Sequence, residues 1–172
     1  MRKLIFIMCL FITTVMSSQT NAQPIEVFEF EGIKVASYDF EGLATFLTQK
    51  DDSTYIINFW ATWCAPCIKE LPHFEEIGAR YKDKHVKVLL VSLDFPKKVE
   101  SSLIPFIKRK KLESEVVHLN DPDANSWIEK VNKDWSGAIP ATIIYKNNTV
   151  SFYEQSFTYE TLEKELLEIL NK

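Results

Sequence analysis

The stretch that decides the fold, residues 55–72, reads YIINFWATWCAPCIKELP. Its first six residues form a near-continuous apolar run rich in β-branched and aromatic side chains, which predicts a buried strand. The chain then turns, and a helix is expected to begin at about Cys64. Pro66 suits the first turn of that helix, where its missing N–H has no intrahelical partner to lose. Cys64 and Cys67 are therefore predicted to lie three residues apart at a helix N-terminus.

This placement of two cysteines has a chemical consequence. Residues three apart share one face of a helix, with Cβ atoms roughly 5–6 Å apart, and a disulfide can close over that distance. The unpaired N–H groups and the dipole of the helix N-terminus favour a thiolate and draw the pKa of a cysteine below its usual value of about 8.5. We therefore predict a redox-active pair, with Cys64 as the nucleophile and the more buried Cys67 as the residue that resolves a mixed disulfide.

The two cysteines could also be zinc ligands or a purely structural disulfide. A zinc site needs about four nitrogen or sulfur ligands, whereas the third cysteine, Cys9, lies in the leader described below and the histidines His73, His85 and His118 are scattered. A purely structural disulfide across two intervening residues would remove little chain entropy. No metal and no other cofactor is expected.

The run FWATWCAPC at residues 59–67, followed by Glu70 and Pro72, resembles the active-site motif of the thioredoxin superfamily. The greatest similarity is to the exported TlpA/ResA-like branch, which includes the thioredoxins of cytochrome c maturation, and it extends from about Gly32 to the C-terminus. The resemblance implies an α/β, thioredoxin-like fold: a mixed central sheet flanked by helices on both faces, with an N-terminal β extension.

The resemblance also implies roles for residues outside the cysteine pair. Thioredoxin itself has a buried Asp at the position of Asn58, which cannot titrate, and the TlpA/ResA-like branch carries instead a Glu at the position of Glu70. Glu70 is thus a candidate proton shuttle for Cys67, the alternative being an ordinary solvent-facing helix residue. Pro140 matches the superfamily's cis proline, which leaves the backbone of Ile139 free to pair with an extended substrate.

The tryptophans near the motif differ in their expected roles. Trp63, directly before Cys64, is expected to form part of an apolar docking surface for substrate. Trp60 is expected in the core. For Trp135, both surface recognition and packing remain open.

The first 22 residues are expected to be a secretory signal peptide. Arg2 and Lys3 precede an apolar run over residues 4–15, and a small residue, Ala22, marks the expected cleavage point. The run is short of the roughly 20 residues that span a bilayer, so an uncleaved anchor is the lesser alternative. Cleavage would leave a thioredoxin-like domain at residues 23–172 and 18 basic against 24 acidic side chains, a balance that argues against nucleic acid as a partner.

The remaining pattern predicts one α/β domain. Strands are expected at residues 25–30, 33–35, 86–93, 116–119, 142–145 and 150–153, the first with one buried face and the third parallel and central. Helices are expected at residues 39–50, 64–81, 99–111 and 124–132, with a last helix that Thr158 caps.

These features together predict an exported enzyme, periplasmic or in the cell envelope, that reduces protein disulfides. Ala65 and Pro66 place no charge between the cysteines, which favours a potential near that of thioredoxin. The expected partners are disulfide-containing exported proteins, with a link to cytochrome c maturation, and a membrane thiol-relay reductase as electron donor; no stable membrane insertion is expected after cleavage. The alternatives are a disulfide oxidase or isomerase, a non-catalytic binding module, and a peroxide-reducing redoxin. The sequence pattern of the last class has Thr at the position of Ala61, which argues against it.

Overall fold

The computed structural model describes residues 23–171, so the predicted leader at residues 1–22 lies outside the described part of the chain. One seven-stranded sheet has the order β1-β2-β5-β4-β3-β6-β7. Its strands are β1 (Glu26–Phe30), β2 (Ile33–Tyr38), β3 (Thr54–Trp60), β4 (Val86–Ser92), β5 (Glu115–Leu119), β6 (Ala141–Lys146) and β7 (Thr149–Tyr153).

Helices connect these strands and cover the sheet. They are α1 (Phe40–Ala44), α2 (Ala65–Arg80), α3 (Ile104–Lys110), α4 (Ala124–Val131) and α5 (Tyr159–Leu170). Side chains of α2, α3 and α5 pack in one apolar core, and side chains of α1 and α4 pack in a second. Alternate residues of β3 divide between the two cores, with Ile56 and Trp60 in the first and Ile57 and Phe59 in the second, so helices cover both faces of the sheet as predicted.

The strand β3 lies at the centre of the molecule, and all seven of its residues are buried. It pairs in parallel with β4 and antiparallel with β6, while β4 pairs in parallel with β5. The sheet is therefore mixed, and the prediction of a parallel, central β4 is confirmed. A strand covered on both faces needs apolar residues at every position, which is why its sequence shows an unbroken run rather than alternation.

The N-terminal extension is a hairpin. β1 pairs antiparallel with β2 through a turn at Glu31 and Gly32, both with positive φ, and β2 then joins β5 in parallel. The expectation of one buried face on β1 was wrong, because Val27 and Phe30 are about half exposed and Phe28 is the residue of β1 that packs on the core. β1 is one of the two edge strands of the sheet, and both of its faces reach solvent.

The helix predicted at residues 39–50 is shorter than expected, since α1 ends at Ala44. Beyond it the amides of Phe46 and Leu47 donate to carbonyls three residues back rather than four. The Thr45 hydroxyl donates to the Gly42 carbonyl at 2.8 Å, and the Tyr145 hydroxyl donates to the Phe46 carbonyl at 2.6 Å. Side-chain donors that compete for backbone carbonyls in this way end a regular helix early.

The helix predicted at residues 99–111 begins irregularly. A 3₁₀ turn (Pro96–Lys98) and a π turn (Val99–Leu103) precede α3. Pro105 lies in the first turn of α3 and has no N–H to donate. The inward-facing set is nevertheless buried as predicted: Leu103, Ile104, Phe106 and Ile107.

Within residues 23–171, none of the helices is both long enough and apolar enough to cross a membrane.

Candidate active site

A disulfide joins Cys64 to Cys67 at the start of α2, with Cα atoms 5.3 Å apart. Cys64 is the N-cap residue, and Pro66 lies in the first turn, as the sequence indicated. The side chain of Cys64 is 6% exposed, whereas that of Cys67 is fully buried. An incoming thiol or disulfide therefore meets the Cys64 sulfur first.

The helix N-terminus supplies a donor to the outer sulfur. The backbone N–H of Cys67 points at Cys64 Sγ, with 3.3 Å between nitrogen and sulfur. In the reduced protein this amide is placed to donate to a thiolate, and hydrogen bonds to an ionised acceptor are roughly twice as strong as neutral ones. The geometry thus stabilises the nucleophilic form of Cys64.

The segment that leads into β6 completes the outer side of the site. The Ile139–Pro140 peptide bond is cis, as the resemblance implied, and Pro140 is buried. The carbonyl oxygen of Ile139 lies 3.8 Å from Cys64 Sγ. The three residues are brought together because β6 begins next to the end of β3, where Phe59 pairs with Ala141.

Glu70 lies one helical turn beyond Cys67 and is 1% exposed. The solvent-facing alternative for this residue was therefore wrong. Its Oε1 accepts from Asn58 Nδ2 at 2.9 Å, and its Oε2 accepts from the backbone N–H of Phe157 at 2.8 Å. Burial raises the pKa of Glu70 to about 7, against the lowering effect of these two hydrogen bonds.

Asn58 occupies the centre of this buried polar group. Its Nδ2 donates both to Glu70 and to Thr142 Oγ1, the latter at 3.1 Å. Its Oδ1 is buried and has no hydrogen-bond partner among the residues that the structure describes. An amide with one free acceptor can turn over, so Asn58 is able to donate to an ionised Glu70 or accept from a protonated one.

The tryptophans occupy different environments. Trp63 is 59% exposed beside Cys64, while Trp60 is fully buried, as expected. Trp135, for which the sequence allows either surface recognition or packing, is a packing residue. Its ring contacts Phe59, and its Nε1 donates to the Ala138 carbonyl at 2.8 Å.

Comparisons with known proteins agree with this site. A family model described as "AhpC/TSA family" matches residues 24–152. The chain belongs to the AhpC/TSA family. The thiol-disulfide oxidoreductase ResA of Oceanobacillus iheyensis is 32% identical over 116 residues, which cover 67% of this chain and 56% of that protein. The ResA of Bacillus thuringiensis subsp. konkukian is 33% identical over 90 residues, which cover 52% and 44%. The chain thus spans about half the length of the curated relatives it matches.

Solved structures confirm the thioredoxin-like fold of this AhpC/TSA family member. StoA from Bacillus subtilis matches with a TM-score of 0.55 and 24% identity over 83% of this chain and 97% of that one. A thioredoxin family protein from Chlorobium tepidum matches with a TM-score of 0.59 and 15% identity over 87% and 97%. At these sequence identities, the two structures support the fold and nothing further.

One part of the site has no signal in the sequence. Asp94, directly after β4, is 2% exposed and accepts hydrogen bonds from the backbone N–H and the hydroxyl of Thr62. Thr62 lies in the loop between β3 and Cys64. A single Asp after a strand has no distinguishing pattern, and its partner is 32 residues away in the chain.

The scattered histidines do not assemble into a site. His118 is buried in β5, between Ser37 and the backbone carbonyl of Asp94. Within residues 23–171, no three His, Cys, Asp or Glu side chains are grouped to hold a metal ion.

Glu70 should make the stability of the oxidised protein depend on pH. The pKa of Glu70 in the folded protein, about 7, lies above the ordinary value of 4.5. Below pH about 4.5 the carboxyl is protonated in both the folded and the unfolded protein, so it does not lower the free energy of unfolding. As the pH rises from 4.5 to 7 the carboxyl ionises in the unfolded protein first, which lowers the free energy of unfolding progressively, and the loss is complete above pH about 7. Relative to Glu70→Gln, we expect the wild type to lose on the order of 2–3 kcal/mol of unfolding free energy between pH 5 and 8.

The measurement is urea unfolding of both proteins across that range with the disulfide intact. Glu76→Gln is the control, because Glu76 is an exposed carboxyl on the same helix. Parallel pH curves for the wild type and Glu70→Gln would contradict the assignment of a raised pKa to Glu70.

Proposed function

We propose that this protein is an exported thiol–disulfide oxidoreductase that reduces protein disulfides by dithiol exchange through Cys64 and Cys67. The observation that carries the proposal is the closed pair at a helix N-terminus, with its outer sulfur facing a backbone N–H donor. The names of the ResA relatives support it.

The exchange proceeds in two steps. The Cys64 thiolate attacks one sulfur of the substrate disulfide, an S–S bond forms to Cys64, and the substrate's other sulfur leaves as a thiolate and takes a proton. The Cys67 thiol then loses its proton and attacks Cys64 Sγ, which releases the second substrate thiol. Two electrons pass to the substrate, and the Cys64–Cys67 disulfide seen in the structure is regenerated.

Glu70 accepts the proton of Cys67 in the second step. It lies three residues on from Cys67 and so on the same helix face, and both side chains are buried from water. A carboxyl with a pKa of about 7 gains and loses protons at neutral pH. The hydrogen bonds from Asn58 and Phe157 hold it in place in either protonation state.

Substrate binds across Trp63, Ile139 and Pro140. The exposed Trp63 ring offers an apolar surface beside Cys64, and the backbone of Ile139 offers hydrogen bonds to an extended segment. Pairing with substrate backbone provides affinity without restricting the substrate's sequence. The 3.8 Å distance between the Ile139 carbonyl oxygen and Cys64 Sγ supports this proposal, because a segment paired with Ile139 would lie next to the reacting atom.

The direction of electron flow is reduction of the substrate. Ala65 and Pro66 add no charge between the cysteines, so no side chain there stabilises the thiolate as in a strong oxidant. The reduced form is restored by a membrane thiol-relay reductase, in the periplasm or cell envelope, after residues 1–22 are removed. The substrates are exported proteins with disulfides, among them apocytochromes of the cytochrome c maturation pathway.

Serine variants of the cysteines test the exchange. With a peptide that carries an intramolecular disulfide as substrate, Cys64→Ser should abolish reduction, because no nucleophile remains. Cys67→Ser should accumulate a mixed disulfide, because the second step is blocked. Both are measured by mass spectrometry of the acid-quenched reaction.

Ala65→Ser is the matched control, since it adds a hydroxyl between the cysteines and leaves both thiols. A Cys64→Ser protein that still reduced the peptide would refute dithiol exchange. A Cys67→Ser protein that bound the peptide without a covalent adduct would point to a binding module.

The reduction potential of the Cys64–Cys67 pair tests the direction. Equilibration with glutathione or a dithiol buffer should give a value at or below about −230 mV, in the range of thioredoxin and the glutaredoxins. A value at or above about −150 mV would make an oxidase the correct assignment.

The roles of Glu70 and Trp63 predict opposite kinetic effects. Glu70→Gln should slow the decay of the mixed disulfide by at least tenfold near pH 7, because general-base catalysis typically contributes about 10²–10⁴-fold, and should leave its formation unchanged. Trp63→Ala should weaken the encounter with the peptide and leave the decay unchanged.

Stopped-flow mixing followed by acid quench separates the two rates. Val150→Ala is the control for Trp63→Ala, because Val150 is equally exposed, at 58%, and lies on the edge strand β7. Equal slowing of both steps in either variant would indicate a structural effect rather than the assigned role.

A further inference from the structure

A buried carboxylate, that of Asp94, is hydrogen-bonded to the loop that leads into Cys64. Asp94 Oδ2 accepts from the backbone N–H of Thr62 at 3.0 Å and from the Ser92 hydroxyl at 2.8 Å, and Oδ1 accepts from the Thr62 hydroxyl. Three donors converge on a side chain that is 2% exposed. Both carboxylate oxygens thus serve as acceptors, and the Thr62 contact fixes the carboxylate against the loop before Cys64.

This negative charge has no cationic partner within the described residues 23–171, where none of the ion pairs includes Asp94. His118, whose ring contacts the backbone carbonyl of Asp94, does not neutralise it. His118 Nε2 contacts the backbone carbonyl of Asp94 at 2.8 Å, so this nitrogen carries the proton, and Nδ1 accepts from the Ser37 hydroxyl at 2.9 Å. Burial lowers the pKa of His118 below its usual value, which keeps the ring neutral.

Asp94 is hydrogen-bonded to the turn that carries the reacting sulfur. Thr62 precedes Cys64 by two residues, and the N–H of Cys64 donates to the Ala61 carbonyl at 3.1 Å, which closes a tight turn over residues 61–64. Asp94 holds the middle of that turn by both the backbone and the side chain of Thr62. A charge on Asp94 is therefore held against the turn that carries Cys64, two residues from that cysteine along the chain.

We propose that Asp94 is a positioning residue that acts through Cys64: its unneutralised charge beneath the turn disfavours the Cys64 thiolate and so makes the dithiol a stronger reductant. This role for Asp94 rests on the proposed function in one respect, that Cys64 is the attacking thiol. Like charges disfavour one another, so Asp94 opposes the helix N-terminus, which favours the thiolate. The balance of the two sets how readily the pair gives up electrons.

Other titratable groups face the same region and must be held constant. They are Glu70 on α2 and His118 on β5, both buried, with the exposed Lys69 on α2. The segment that contacts Cys64 from before β6, residues 138–141, contains no titratable side chain. All of these remain in the variants below, so differences between variants report on Asp94.

The test is Asp94→Asn in the full chain. An asparagine amide keeps an acceptor for the Thr62 N–H and can donate to the Thr62 hydroxyl, so the contacts survive while the charge is removed. We expect the pKa of the Cys64 thiol, read from the pH dependence of iodoacetamide alkylation, to fall by about one unit, a tenfold change in its acid dissociation constant.

The reduction potential should change in a characteristic way with pH. Below the Cys64 pKa of both proteins the thiol is protonated and the potentials agree. Above both pKa values the variant should be up to tenfold easier to reduce, about 30 mV more oxidising. A loss of loop geometry would shift the potential at every pH instead.

Thr62→Val provides a second variant, which should not lower the pKa of Cys64. It removes a hydroxyl whose dipole offsets part of the Asp94 charge and leaves the carboxylate in place, so the pKa of Cys64 should stay or rise. Asp52→Asn is the charge control, because Asp52 is exposed just before β3, at the end of that strand opposite to the cysteines. It should leave the pKa of Cys64 unchanged.

The outcomes are distinct. Shifts of the Cys64 pKa in the same direction in Asp94→Asn and Thr62→Val, or none in Asp94→Asn, would overturn the proposal. If Asp94→Asn does not fold, a lowered Cys64 pKa in Thr62→Val would overturn it. Failure of the proposed function would look different, since Cys64 of the wild type would then not be the thiol that iodoacetamide modifies.

Discussion

The pairing of β3 with both of its neighbours is the constraint on which the site depends. Trp60, the last residue of β3, pairs with Ser92 of β4, and Phe59 pairs with Ala141 of β6. The segments that follow β3 and β4 and the segment that precedes β6 therefore emerge at one edge of the sheet. Those segments carry the cysteines, Asp94 and the cis proline. A change of register on either side of β3 would move a group essential to the site onto the wrong face.

The site contains two buried carboxyl groups, those of Glu70 and Asp94, in different surroundings. Glu70 accepts hydrogen bonds from an amide and a backbone N–H, has a pKa raised by burial to about 7, and lies one helical turn beyond the inner cysteine on α2. Asp94 is bound to hydroxyls and a backbone N–H, and lies under the turn that carries the outer cysteine. In our proposals the first moves a proton and the second sets the stability of the thiolate. Each cysteine thus has its own acidic neighbour, and the helix N-terminus acts on the outer one in the opposite sense.

Much of this arrangement could be read from the sequence, because local patterns determine it. The apolar runs of β3 and β4, Pro66 after Cys64 and the cap at Thr158 are all short-range signals, and the structure has each of them. The early end of α1 was missed because it depends on the hydroxyl of Tyr145, almost a hundred residues away. Asp94 was missed for the same reason, since its role comes from strand pairing rather than from any spacing. The resemblance supplied Glu70 and Pro140; in the structure Glu70 is buried on α2 and the Ile139–Pro140 bond is cis, while their roles stay predictions.

The hydrogen bond from the Phe157 N–H to Glu70 makes the end of the chain a part of the active site. Phe157 lies 87 residues beyond Glu70, in the segment that enters α5. A fragment that stopped after β7 would keep every strand, both cysteines and the cis proline, yet would leave a buried carboxyl short of one donor. The redox centre is therefore not complete in a fragment that ends with β7. Its acid–base properties are complete only once the last helix has docked.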